Sequence, residues 1–96
     1  MTRAEAYKVA ETYVSGLSKR YSAPFVLLDE RTREEDFGWV FFYVRREFFE
    51  TGDMRFAVGG NAPINVDRET GDIHETGTAH AVDYYVEHYR RKRRPA

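Results

Sequence analysis

Apolar residues recur at three- and four-residue steps through the first part of the chain. Ala6, Val9, Ala10, Tyr13, Val14 and Leu17 form one stripe, which predicts an amphipathic helix. Thr2 and Glu5 stand at capping-box spacing ahead of it. Ser22 and Pro24 should end it around Ser18–Arg20. Phe25 to Leu28 is a short apolar run after a proline and reads as a strand, and the charged stretch Asp29–Asp36 reads as a loop. Gly38 to Val44, rich in aromatic and β-branched residues, is the strongest strand pattern in the chain. Trp39, Phe41 and Tyr43 fall on one face and Val40, Phe42 and Val44 on the other. With neither face polar, this strand should be central and covered on both sides.

Glu47 to Asn61 mixes Phe48, Phe49 and Phe56 with Gly52, Gly59 and Gly60, and reads as a structured connection with room for a short helical turn. Ile64–Asp67 alternates as a strand does, Arg68–Gly71 makes a tight turn, and Asp72–Thr76 returns as its hairpin partner. After Gly77, a last helix carries Val82, Tyr85, Val86 and Tyr89 on one stripe and runs into a basic end. The order is α-β-β-β-β-α. It implies a single small α+β domain, with a mainly antiparallel sheet of about four strands and the N-terminal and C-terminal helices packed on it. The domain is expected over residues 1–89, with 90–96 as a basic C-terminal tail. There are no internal repeats.

Composition bounds what such a domain can do. Ninety-six residues suit one core, and seven Phe, seven Tyr and one Trp supply it, which argues against disorder. There is no cysteine, so thiolate metal sites, disulfides and a Cys nucleophile are excluded. No run approaches the ~18 apolar residues of a membrane span, and the start lacks a signal-peptide pattern. The expected location is the cytoplasm. The net charge of −1 conceals an asymmetry. Without the five basic residues Arg90-Arg91-Lys92-Arg93-Arg94, ten Lys/Arg face sixteen Asp/Glu, so the body carries about −6. Acidity is densest at Asp29, Glu30, Glu34, Glu35 and Asp36, a patch that would steer a cationic partner surface.

Candidate chemistry is sparse. His74-Glu75 followed by His80 is not H-E-x-x-H, and His88 belongs to another helix, so no metal is expected. Glu34, Glu35 and Asp36 could share acid–base work only if buried, whereas a charged loop is normally solvated. Ser15, Ser18 and Ser22 lack a nucleophile-elbow setting. Gly59, Gly60, Asn61 and Pro63 have neither P-loop nor dinucleotide spacing and are expected to form a structural loop. The basic end could make weak, salt-sensitive phosphate contacts, yet it lacks an aromatic platform and complements the dipole of the last helix. The expectation is a non-catalytic protein with no cofactor, no specific nucleic acid and no membrane partner. Its candidate partner-binding residues are Asp29, Glu30, Glu34, Glu35, Asp36 and Trp39. A short edge strand beside an apolar surface could also support a homodimer.

Gly38-Trp39-Val40-Phe41-Phe42-Tyr43, Glu50-Thr51-Gly52-Asp53, Gly60-Asn61-Ala62-Pro63-Ile64, Val66-Asp67, Thr70-Gly71, Ile73 and Gly77-Thr78, in that order, resemble the YrhB-like family, also catalogued as the immunity protein 35 domain. The resemblance covers nearly the whole chain. It implies a small bacterial cytoplasmic α+β protein, often encoded beside a toxin of a polymorphic toxin system and neutralising that toxin by binding it. No catalytic residues are attributed to the family. For members without a toxin neighbour, a chaperone-like or general protein-interaction role is the alternative.

Overall fold

The structure, a computed structural model, describes residues 1–53 and 62–93. Helix α1 spans Arg3–Arg20 and opens with the expected capping box. The Thr2 amide donates to Glu5 Oε1 at 2.8 Å, and the Glu5 amide donates to Thr2 Oγ1 at 3.2 Å. Strand β1 (Phe25–Leu27) follows, then a 3₁₀ turn (Asp29–Arg31) and strand β2 (Arg33–Glu35). Strands β3 (Gly38–Phe41) and β4 (Tyr43–Arg45) lead into the short helix α2 (Arg46–Thr51). Strands β5 (Ile64–Asp67) and β6 (Ile73–Glu75) form the hairpin, and α3 (Val82–Arg93) closes the described chain. Helix α3 takes in Arg90 to Arg93, so the described part of the basic end is helical.

Two expectations are corrected. The acidic stretch is not a loop throughout, because β2 pairs antiparallel with β3, setting Glu34 opposite Trp39. Charged residues suit an edge strand, whose outer side meets water. The second correction concerns Gly38–Val44, which divides at Phe42 into two strands with different partners. β3 lies between β2 and β5 in a four-stranded sheet of order β2-β3-β5-β6, whereas β4 pairs with β1 in a separate two-stranded ribbon. The Phe42 carbonyl, at the break, accepts from the Leu28 amide at 2.8 Å.

Both faces of β3 are covered, as its two apolar faces require. On one side α1 presses Ala6, Ala10 and Val14 against Trp39, Phe41, Ile64 and Val66. On the other, Val86 and Tyr89 of α3 close over Phe37 and Val40. Gly38 permits the tight crossing of β3 and β5, where a Cβ would stand 2.0 Å from the Val66 carbonyl oxygen. The β5–β6 turn uses Gly71 at φ 74°, the left-handed position expected there. Of the expected structural loop, Gly59, Gly60 and Asn61 lie outside the described residues. Pro63 is buried, and its carbonyl accepts from the Thr76 hydroxyl.

Candidate functional site

The acidic stretch is where a binding surface was expected, and its carboxylates separate into two groups. Glu35, 14% exposed, turns inward to α3, and Asp36, 66% exposed, reaches the same helix from the surface. Arg90 donates to Glu35 at 2.8 Å and to Asp36 at 2.9 Å, and it also pairs with Glu87 one turn earlier on its own helix. Arg33 bridges Glu35 at 3.1 Å and Asp83, at the start of α3, at 2.9 Å. The Arg90 guanidinium, through its hydrogen bond, holds the Asp36 carboxyl below the usual carboxylate range. Glu35 and Asp36 therefore fasten a helix to an edge strand, and they are poor candidates for acid–base work at neutral pH.

The remaining acids face water. Asp29 pairs with Arg3 at 3.1 Å with its side chain 58% exposed, and Glu34 pairs with Arg68 at 3.1 Å while 68% exposed. Glu30 is exposed on the 3₁₀ turn between them. These three make an acidic surface that a partner could reach. Trp39, named with them from the sequence, is buried at 3% exposure, and the Arg68 guanidinium lies 4.8 Å from its ring centroid. Its place in this structure is the core.

A second polar centre lies under α3, and the sequence reading did not single it out. Asp67, at the end of β5, is 3% exposed. Its carboxylate accepts from Arg93 Nε at 2.7 Å, from the Tyr89 hydroxyl at 2.6 Å, and from the backbone amides of Glu69 and Thr70. The Arg93 hydrogen bond, chief among these, holds the carboxyl well below its usual range against the opposing pull of burial. The Tyr89 hydroxyl is pushed up to about 12, by burial first and then by its bond to Asp67. The arrangement is a buried carboxylate whose lone pairs are satisfied, held by a partly exposed arginine, which favours structure over reactivity.

The histidines do not converge. His74 lies against Tyr89, with ring centroids 4.4 Å apart, while His80 and His88 both lie against Tyr84, at 4.0 and 6.2 Å. Among the described residues no group of three His, Asp or Glu side chains is gathered to hold a metal ion. Ser18 serves as a local brace, donating to the Val14 carbonyl at 3.1 Å and accepting from the Phe25 amide at 3.0 Å. No described helix is long and apolar enough to cross a membrane.

Over 56 residues the chain is 43% identical to the uncharacterized protein YrhB of Escherichia coli (strain K12). That match spans 58% of this chain and 60% of the relative's length. No solved structure matches. Residues 4–92 match the family model described as Immunity protein 35, nearly the full length of the domain, and the chain belongs to that family.

Proposed function

We propose that the protein is an immunity protein that binds and neutralises a cognate toxin of a bacterial polymorphic toxin system, acting in the cytoplasm and without catalysis. Membership of the immunity protein 35 family across residues 4–92 carries this reading. The surface supports it, since Asp29, Glu30 and Glu34 are exposed, while Glu35 is largely buried against Arg90 of α3. Such a surface attracts a cationic one and would cover it.

The test is co-expression with the product of each adjacent gene. A neighbour whose product arrests growth alone, is tolerated with this protein, and co-purifies with it at one-to-one stoichiometry is the expected result. Neighbours that are neither toxic nor retained would remove the immunity reading. The chaperone-like alternative draws on Phe49, which is 59% exposed on α2. Single apolar side chains at a surface are ordinary, however, and Trp39 and Phe41 are core. Suppression of the aggregation of unrelated clients would favour that alternative.

A further inference from the structure

The two long helices are held to the sheet by different forces. α1 gives its side of the core three buried residues, Ala6, Ala10 and Val14, and four partly buried ones, Tyr7, Val9, Tyr13 and Leu17. Among the described residues one ion pair, Arg3–Asp29, ties it to the rest of the chain. α3 buries only Val86 and Tyr89, with Val82 beside them. Its attachment among the described residues is completed by five ion pairs: Asp83 with Arg33, Arg90 with Glu35 and Asp36, and Arg93 with Asp67 and Glu69. These pairs sit at both ends of the helix. In three of them the acid is largely in water, with Asp83 81%, Asp36 66% and Glu69 75% exposed. Pairs of that kind are the ones that dissolved salt screens.

The fit beneath α3 is also incomplete. Asn65 stands opposite Val40 on the face that α3 covers and is 2% exposed, yet no described group hydrogen-bonds its Oδ1. The closed arrangement therefore forgoes a hydrogen bond that water would supply if the helix lifted. Towards β6, Tyr89 reaches His74, while Tyr85, His88 and Lys92 line an open cleft of about 600 Å³. The connection leaves room for movement. The Thr76 hydroxyl is bonded to the Pro63 carbonyl and stays with the sheet, whereas the Ala79 and His80 amides donate to the Tyr85 hydroxyl and go with the helix. Gly77 and Thr78 lie between the two attachments.

We propose that α3 is an ionic strap, which lifts from the sheet beyond Gly77 while the α1 side of the fold stays closed. Lifting bares Phe37 and Val40 between the carboxylates of Glu35, Asp36 and Asp67, an apolar strip with an acidic border that the closed form hides. Ionic strength governs the movement, because screening weakens the exposed pairs and leaves the apolar seam under α1 intact. A detached helix of this length is marginal by itself, so its amides exchange once it lifts. The strap is independent of the immunity reading.

The experiment is native-state amide exchange of the isotope-labelled full chain, read by NMR in about 0.02 M and about 0.5 M NaCl, where the Debye length falls from ~20 Å to ~4 Å. The α1 amides of Ala10 and Val14 serve as the internal reference. The expected result is that α3 exchanges faster than α1 at both concentrations, and that protection of Val86 and Tyr89 relative to α1 drops about tenfold at the higher one. A double variant, Asp36→Asn with Asp83→Asn, keeps the oxygen that the Phe37 amide uses but removes two of the charges. Its α3 protection should already be about fivefold lower in dilute salt, with a salt response less than half that of wild type. Equal protection of the two helices overturns the proposal, as does relative protection that salt leaves unchanged. An α3 that is unprotected even in dilute salt, or a variant with the full wild-type salt response, overturns it too. Should the variant fail to fold, the wild-type salt series decides by itself.

Discussion

A Cβ at Gly38 would lie 2.0 Å from the Val66 carbonyl oxygen and 2.9 Å from the Arg68 amide nitrogen, both of them backbone atoms that cannot swing away. The glycine also holds a φ of 152°, which other residues rarely adopt. Gly38→Ala should therefore cost on the order of 3 kcal/mol, read as a lower urea midpoint at unchanged m. Asp67 gives the second prediction at this scale. Its folded carboxyl is more acidic than the unfolded one, chiefly through Arg93, so its contribution is complete above the unfolded value of about 3.9. That contribution is lost as the pH falls below about 4 towards the folded value. Asp67→Asn should flatten this part of the stability–pH curve and cost about 2 kcal/mol at pH 7, by removing the charged acceptor of the Arg93 and Tyr89 hydrogen bonds. The sequence hid this residue for a physical reason. Ile64-Asn65-Val66-Asp67 alternates like a strand with one face in water, yet α3 covers that face, and the polar side chains there are buried or matched to arginines.

At the scale of elements, α1, the hairpin of β5 and β6, and the two apolar faces of the central strand were legible, because periodicity reports which side of an element is buried. Partner choice was not legible. Gly38–Val44 is one continuous apolar run, and nothing within it marks Phe42 as the point where pairing passes from β5 to β1. Likewise, Arg33-Glu34-Glu35 lacks the apolar residues that usually mark a strand, and only pairing with β3 makes it one. Helix α3 shows the same limit, since its arginines looked like a solvated end until their partners 26 to 55 positions away were placed beside them. Arg90 is the hub of that attachment, with its side chain 23% exposed between Glu35 and Asp36. Arg90→Ala should cost about 1–2 kcal/mol, as a charge-assisted pair with a half-buried partner does. Amide exchange should quicken across Val86–Arg93 while α1 keeps its protection, which would show the helix loosening before the sheet. Equal loss of protection in both helices would mean that α3 has no separate attachment.

Over the whole molecule, the acids expected to act as one patch do two different jobs. Only those on the solvent side can steer a partner. Reversing Glu35 or Asp36 would place a second cation against Arg90 and loosen α3, so any effect on binding would be confounded with stability. Glu30 and Glu34 carry no such burden, because one is exposed on the 3₁₀ turn and the other, 68% exposed, pairs with Arg68 at the surface. Exposed pairs of this kind contribute roughly 0–1 kcal/mol to folding. The double variant Glu30→Lys, Glu34→Lys should therefore keep its Tm within a few degrees of wild type. Its association with the cognate toxin should slow by about tenfold at low salt, because steering depends on the summed field of the edge and not on any one contact. Raising the salt to about 0.5 M, where the Debye length falls to a few ångströms, should bring the two rates together. Dissociation should change much less, since rim charges act mainly on encounter. An association rate that is unaffected at every salt concentration would move the binding surface away from this edge while leaving the toxin complex intact. A slower rate that persists at high salt would point to a lost contact, with Glu30 or Glu34 seated inside the interface.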